Sequence, residues 1–485
     1  MGLNRNSARQ REDAAMPGTP TPAVNGTSEP VTLSASLGVG IGSAIAAWVA
    51  AWVLHLPGID APAKVSLPLI ILTMISAATF LLRACPAPTR LRVGAIGGAL
   101  AGIANLLIVA STAVVQPGST AEMEQYANQF NSQAAIIIPS TVVVCIVAGL
   151  VAALLARGGR GQADTRGAWL ARLGLVTVFV YLPLILVGGA VTSTESGMAV
   201  PDSVTTYGAI SVLFPFELMA HPRIFLEHSH RLFGTLAGLV TIVLMIRVLT
   251  ASSGRLAKVL AVALFVAVCL QGYMGAQRVS ERSIPLAIVH GIFGQIVFTL
   301  SGVLAATLST GWRSMTGDDE RANTAAKART IAVVTVVALL LQLALGAAAR
   351  HLAHMDPPSN GTGHARLTHA GFSFVVMGLL IVLGAMAMRT ARSGRGIAVL
   401  RRLGAGLHGV VTFQFLLGWA ALGLVSTAKE PRPIPNPDQL DTAAPIRVGE
   451  AIVTTAHQAT GAVLLLLTGI TVAWIFRVAS ARTAR

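Results

Sequence analysis

Four histidines, His230, His290, His369 and His457, each stand near one end of a long apolar segment. An imidazole inside a membrane is costly unless it is hydrogen-bonded or bound to a metal, so four in similar positions need a common explanation. Paired imidazoles are frequent axial ligands of heme iron, and the pattern predicts a buried metalloporphyrin site. Hydrogen bonds to loop backbone would explain any one of these histidines, but they explain all four poorly.

Small residues follow the four histidines at helical spacing. Glycine lies four residues after three of them, at Gly234, Gly294 and Gly461, and Ser373 takes that place after His369. Positions i and i+4 share a helix face, so a small residue one turn away leaves room for a flat macrocycle. Small residues also let membrane helices pack closely, so they favour a porphyrin only together with the histidines.

Glu227 and Arg231 flank His230 and are the candidate chemical groups beside it. A carboxylate on the same helix face as His230 can stabilise positive charge that develops on a substrate, and it can hold or deprotonate water. Arg231 is expected beside a heme propionate, for which a guanidinium offers paired donors. The alternatives are a helix-start glutamate that complements the helix dipole and an arginine that snorkels to the interface.

The elements that carry these residues are predicted to be membrane helices. In 485 residues, 54 % are hydrophobic and 11 % are charged, which leaves too little polar surface for a soluble globule of this size. Apolar segments of about 20 residues, the length that crosses a bilayer, recur along the chain. The twelve predicted helices cover residues 34–56, 65–84, 93–116, 134–156, 169–191, 230–250, 256–277, 284–308, 329–350, 366–388, 400–425 and 449–476. The predicted fold class is an all-α polytopic membrane protein.

The basic residues predict the orientation of these helices. The net charge of +15 would suit nucleic acid, but the arginines and lysines concentrate in the N-terminal segment and in alternate loops, which is the positive-inside pattern. Examples are Arg5, Arg9, Arg11, Arg157, Arg160, Arg247, Arg255, Lys258, Arg389, Arg392, Arg395, Arg401 and Arg402. We therefore expect both termini in the cytoplasm, all four histidines near the outer face of the inner membrane, and no nucleic-acid partner.

An internal duplication divides the predicted helices. Gln271 and Gly275, Gln342 and Gly346, and Gln414 and Gly418 share the same spacing, and Gly188 lies in a related segment. A four-helix unit is thus predicted twice, with the histidines on its second and fourth helices. The predicted domains are a disordered cytoplasmic tail (1–33), an N-terminal four-helix membrane domain of unknown role (34–160) and two heme-binding four-helix bundles (161–310 and 325–480).

Several of these motifs, taken in order, resemble the heme A synthase family. The sequence GGAVTSTESGM at 188–198 is followed by Glu227-x-x-His230-Arg231, by Gln271 to Gly275, and by Pro285 with His290. The Glu-x-x-His-Arg element is the most specific of them. The resemblance covers about residues 169–478 and leaves the first four predicted helices unexplained.

This resemblance implies an enzyme that oxidises the C8 methyl group of heme O to the formyl group of heme A during cytochrome oxidase biogenesis. It implies that His369 and His457 ligate a resident heme b, while His230 and His290, with Arg231, bind the substrate heme O. Glu227 would then be the catalytic acid. Implied partners are heme O synthase, an electron acceptor and the lipid bilayer, and a homo-oligomer is compatible with the sequence.

One departure from part of the family concerns cysteine. Some heme A synthases carry a cysteine pair in the loop after their first helix, but residues 192–226 contain no cysteine here. Two other classes remain open at this stage. A di-heme electron-transfer cytochrome would need ligand pairs at two membrane depths, and a transporter would be expected to have broken helices or charges near the bilayer midplane. The remaining outer histidines are expected to be solvated and are assigned no ligand role: His221, His228, His351, His354 and His364.

Overall fold

The computed structural model describes residues 31–157, 166–353, 361–394, 397–426 and 434–483. It contains twelve helices that are long and apolar enough to cross a membrane, which confirms the predicted all-helical, multi-pass architecture. They are Val31–Leu54 (α1), Ala63–Leu82 (α2), Arg90–Val109 (α3), Ala134–Leu155 (α4), Arg166–Ser193 (α5), Pro222–Thr250 (α6), Arg255–Ser280 (α7), Ile284–Leu308 (α8), Arg329–Leu352 (α9), Thr362–Arg392 (α10), Ala398–Ser426 (α11) and Val448–Ala479 (α12). Residues 1–30 of the predicted tail lie outside the described residues.

The start of α6 differs most from the sequence-based prediction. The apolar segment predicts a helix from residue 230, whereas α6 begins at Pro222, whose missing N–H group is tolerated in a first turn. The residues between them are too polar for a membrane window but continue the helix. Glu227 therefore lies inside α6 and beyond its first turn, which weakens the interpretation that it only complements the helix dipole.

Helices α5 to α12 form two rings of four. In the first ring α5 packs on α6, α6 on α7, α7 on α8, and α8 returns to α5; α9 to α12 repeat this order. The rings meet where α8 and α12 cross, and α5 and α9 also reach the other ring. Gly302 of α8 faces Leu466 of α12, and Gly469 faces Thr299, so small residues allow a close approach at this junction.

Helices α1 to α4 form a separate packing unit, referred to below as the N-terminal domain. Helices α3 and α4 approach backbone to backbone where Gly94 and Gly98 face Gly149 and Cys145. The unit joins the first ring through α1, which packs on α5 and also touches α6. Its Trp48 ring lies edge-on to Phe233 of α6 with ring centroids 5.4 Å apart.

The helix order defines what we call the histidine end of the molecule, where α5, α7, α9 and α11 end and α6, α8, α10 and α12 begin. All four histidines lie in the first third of their helices, so they share this end. The outward helix faces carry large exposed apolar side chains, such as Phe80, Leu341 and Leu416. Such surfaces belong in a lipid environment.

Candidate functional site: two facing histidine pairs

The rings bring the four histidines together in two facing pairs. The ring centroids of His230 and His290 are 6.5 Å apart, and those of His369 and His457 are 6.2 Å apart. Two imidazoles that share one axial metal, with metal–nitrogen bonds of about 2 Å and centroids about 1 Å behind each nitrogen, are separated by about 6 Å. Both pairs therefore have the separation that a six-coordinate heme iron requires.

Each histidine ring leans on the backbone of the preceding helix. His369 Nδ1 lies 3.0 Å from the carbonyl oxygen of Gln342 on α9. The rings of His230, His290 and His457 interact in the same way with the carbonyl groups of Leu184, Gln271 and Gln414, although their Nδ1 atoms do not reach full hydrogen-bond geometry. An Nδ1–H group directed at a carbonyl leaves Nε2 as the nitrogen that can bind a metal. The amide nitrogens of Gln271 and Gln414 lie 3.4 and 3.5 Å from the Nε2 atoms of His290 and His457, so these two amides would have to turn aside for a metal to bind. The donor set thus fits a heme in both rings.

Four glycines make this arrangement possible, each four residues after the carbonyl that faces the ring. A Cβ atom at Gly188, Gly275, Gly346 or Gly418 would lie 2.9, 2.9, 2.7 or 3.0 Å from Cε1 of the facing histidine. Contacts this short would push the imidazole away. The Gln–Gly spacing that predicts an internal repeat therefore has a structural cause: at three of the four positions it supplies the carbonyl group and the glycine against which a histidine ring packs.

The small residues that follow the histidines have different surroundings. The space beside Gly294 is filled by the Gln271 amide, and that beside Gly461 by the Gln414 amide, whereas nothing lies within 4 Å of a Cβ placed on Gly234. The expectation that each leaves open room for a macrocycle is therefore met at Gly234 and not at the other two. Position 184, which lies four residues before Gly188 as Gln271, Gln342 and Gln414 lie four before their glycines, is a leucine.

Glu227 and Arg231 form a buried ion pair beside His230. Arg231 Nη2 lies 3.0 Å from Glu227 Oε1, and Glu227 is only 4 % exposed. The loop between α5 and α6 holds both side chains, because Val200 N–H donates to Glu227 Oε2 at 2.9 Å and Arg231 donates to the carbonyl of Thr205 at 2.7 Å. The pair that sequence reasoning proposed is thus assembled, but the guanidinium binds the protein itself in this arrangement.

The electrostatics of this pocket include groups that sequence reasoning missed. Arg278 of α7 reaches the same loop and donates to the carbonyl of Gly197 at 2.7 Å. Tyr207 donates to the carbonyl of Ala199 at 2.8 Å, and burial, then the charges of Glu227 and Asp202, raises the pKa of Tyr207 to about 12. Tyr207 therefore stays protonated and supports the loop rather than exchanging protons. Arg278 and Tyr207 were missed because burial in the folded chain, which a linear sequence does not show, is what brings them into this site.

A second buried ion pair joins the two rings at the histidine end. Arg350, at the end of α9, donates to Glu195 Oε1 at 2.9 Å and to the carbonyl of Thr192 at 2.6 Å. Glu195 is 3 % exposed and adopts a left-handed backbone conformation with φ 54°. Burial raises the pKa of the Glu195 carboxyl, and the Arg350 charge opposes that shift. The pair ties the end of α5 and the loop that follows it to the second ring.

The outer histidines are less uniform than predicted. His364 is exposed, as expected. The prediction for His228 is wrong, because His228 is fully buried, packs on Phe214 and has its Nδ1 3.3 Å from Thr206 Oγ1. His354 lies outside the described residues. Within the described ranges no three His, Cys, Asp or Glu side chains are grouped so that they could hold a metal ion, which leaves the two pairs as the candidate metal sites there.

These features define a class: a multi-pass helical membrane protein with two bis-imidazole sites at one end. A family profile described as cytochrome oxidase assembly protein, COX15-CtaA, matches residues 171–428, more than half of the chain. The chain belongs to this family of cytochrome oxidase assembly proteins. The match contains His230, His290 and His369 and ends before α12, which carries His457. No protein of curated description and no solved structure matches the chain.

Proposed function

We propose that this protein is a heme A synthase that oxidises the C8 methyl group of heme O to a formyl group. The observation that carries the proposal is the presence of two histidine pairs, with ring centroids 6.5 Å apart in one pair and 6.2 Å apart in the other. Only the first pair has a carboxylate one helical turn from a histidine, Glu227 beside His230. The conversion removes four electrons and four protons when water supplies the added oxygen atom. An electron acceptor outside the chain must take up the electrons.

The two pairs have different assigned roles. His369 and His457 hold the resident heme b, and this cofactor supplies reversible one-electron transfer when it is bound. His230 and His290 hold the substrate heme O. The same residue spacing supports all four ligands, so the difference between the sites lies in their neighbours: three residues before His230 is Glu227, whereas three residues before His369 is Arg366.

Glu227 is the proposed catalytic residue. Its carboxylate stabilises positive charge that develops at the methyl carbon and takes up a proton from the attacking water. Two donors fix its orientation, the Val200 N–H group and Arg231. A preorganised carboxylate in a buried pocket requires little rearrangement during the reaction, which is the condition under which an electrostatic contribution is large.

The basic residues support a placement with both termini in the cytoplasm and the histidine end towards the outside. Heme O from heme O synthase would then bind at this end. A bilayer-crossing electron conductor would place its two ligand pairs at different depths, whereas all four histidines share one end of the bundle. This arrangement favours the synthase over a di-heme electron-transfer cytochrome.

Co-expression with a heme O synthase in a host that makes no heme A tests the proposal. We expect heme A in extracted pigments only when both proteins are present, with heme b in the purified protein. A His230→Ala variant provides the matched control, because it should keep heme b and form no heme A. Accumulation of heme O alone, with the protein folded and loaded with heme b, would reject the proposal, and a colourless protein would favour a transporter.

A further inference from the structure

The connection between α5 and α6, residues 194–221, carries the backbone groups that orient the proposed catalytic pocket. Val200 donates to Glu227, and the carbonyl groups of Thr205 and Gly197 accept from Arg231 and Arg278. Connections within helical bundles are commonly about two to eight residues long, so a segment of this length needs its own support. The position of this loop therefore decides where Glu227 and Arg231 point.

The opposite side of that loop is held by the N-terminal domain. The α3–α4 loop, residues 110–133, accepts hydrogen bonds from three backbone N–H groups of the α5–α6 loop. Ile210 donates to Asn128 Oδ1 at 2.8 Å, Phe216 to the carbonyl of Ser111 at 3.2 Å, and Glu217 to Gln116 Oε1 at 3.1 Å. The Gln116 amide also donates to the carbonyl groups of Ser111 and Val114, so this acceptor is fixed from both sides.

Apolar contacts reinforce the same junction. Met123 of the α3–α4 loop is 1 % exposed and shares one buried cluster with Phe214 of the α5–α6 loop and with Phe225 of α6. His55, just after α1, lies edge-on to Phe216 with ring centroids 5.6 Å apart. Burying large apolar side chains such as Met123 and Phe214 stabilises the contact between the two loops. The junction is thus a packed interface and not a chance contact between two loops.

We propose that the N-terminal domain is a brace for the substrate site: its α3–α4 loop fixes the α5–α6 loop and thereby positions Glu227 and Arg231 against the substrate. The inference rests on the proposed function for the nature of the substrate. Asn128 and Gln116 are its positioning residues, since they act through the loop and touch no proposed catalytic group. The three hydrogen bonds of the brace all come from the α5–α6 loop of the first ring, whereas Leu440 of the α11–α12 connection only joins its apolar cluster, so the heme b site should depend on the brace far less than the substrate site does.

The variant Asn128→Gly tests the brace with little backbone strain, because Asn128 has φ 63° and glycine tolerates that conformation. It removes the acceptor for Ile210 N–H. Asn128→Asp keeps an acceptor oxygen and is the conservative variant. Ser119→Ala is the matched control, because the Ser119 hydroxyl bonds only within its own loop, to Glu122. Each full-length protein is measured for heme A turnover, for the KM of heme O, and for amide hydrogen exchange across residues 198–217.

For Asn128→Gly we expect faster exchange across 198–217 and a kcat lower by about three- to tenfold, the effect of losing one net hydrogen bond. The heme b spectrum and the KM for heme O should stay close to the parent values. Asn128→Asp and Ser119→Ala should match the parent. Unchanged exchange, unchanged kcat, or an equal loss of both hemes would overturn the brace.

The brace and the proposed function fail separately. If the parent protein makes no heme A beside a heme O synthase, the proposed function is wrong. The exchange comparison of Asn128→Gly with Asn128→Asp still decides whether the N-terminal domain holds the loop, and identical exchange in the two variants would reject the brace on its own.

Discussion

The two rings hold their histidine pairs in the same way but surround them differently. In both, each histidine of the pair packs on a carbonyl group and a glycine of the preceding helix. Around His230 a long loop, an acid and two arginines converge, whereas the connection before His369 spans only residues 353–361. The comparison teaches that the packing of the histidines follows the repeat, whereas the charged groups beside them differ with the loop that precedes each ring's first histidine.

Loss of a proposed heme ligand should show the largest difference between the two rings. His457→Ala removes one ligand of the proposed heme b site, so we expect loss of resident heme and of all heme A formation. His230→Ala should lose heme A formation with the resident heme retained. Pyridine hemochrome and pigment analysis of the purified proteins measure both. Equal heme content in the two variants would break the assignment of one pair to cofactor and the other to substrate.

Glu227→Gln should have the next largest effect. The amide keeps an acceptor for Val200 N–H but carries no negative charge, and we expect turnover to fall by about a hundredfold or more. Glu450→Gln is the matched control, since Glu450 lies at the start of α12, beside the other ring, and pairs with Arg447 at 3.5 Å. It should stay within about twofold of the parent. Heme A formation at the parent rate in Glu227→Gln would remove the catalytic role.

Alanine at the supporting glycines should have an intermediate effect that distinguishes the rings. In Gly346→Ala the added Cβ would lie 2.7 Å from His369 Cε1, and in Gly188→Ala 2.9 Å from His230 Cε1. We expect the first to lower heme b occupancy and the second to raise the KM for heme O. Gly378→Ala, where nothing lies within 4 Å, should leave both unchanged. A KM effect from Gly346→Ala with full heme b occupancy would contradict this.

Leu184→Gln should give the smallest effect. It places at position 184 the amide side chain that stands at the three equivalent positions, Gln271, Gln342 and Gln414. A glutamine there would cover Gly234 as Gln271 covers Gly294 and Gln414 covers Gly461. We expect the KM for heme O to rise by about three- to tenfold, roughly 1 kcal/mol of binding, with an unchanged heme b spectrum. Steady-state kinetics decide, and an unchanged KM would show that the leucine has no role in admitting substrate.

Much of the fold was predictable because its signals are local. Twelve apolar segments predict twelve helices, and recurring His and Gln–Gly spacings predict the duplication, since helix periodicity requires nothing from distant residues. The start of α6 was not predictable, because Arg223, Glu227 and His228 interrupt the apolar pattern and are buried only by contacts with distant segments. For the same reason the burial of His228 and the approach of Arg278 escaped prediction. Contacts between segments far apart in the chain leave no periodic trace.

The candidate site shows the same division. The four histidines and Glu227 were proposed from residue type and spacing, and the fold brings the histidines into two facing pairs, whereas the backbone groups that support them were not predicted. The carbonyl groups that face the rings are backbone atoms of Leu184, Gln271, Gln342 and Gln414, and side-chain identity does not encode them directly. The Asn128 and Gln116 contacts join two loops of different packing units, which only the folded chain brings together.

The Arg350–Glu195 pair has a consequence for any attempt to divide the molecule. An arginine of the C-terminal half neutralises a carboxyl group buried in the N-terminal half, so neither half is electrically complete by itself. Separating them would remove the Arg350 charge from a carboxyl group that is 3 % exposed, and breaking a buried pair of this kind costs several kcal/mol. The two halves therefore stabilise each other, and we expect them to lose structure together on heating.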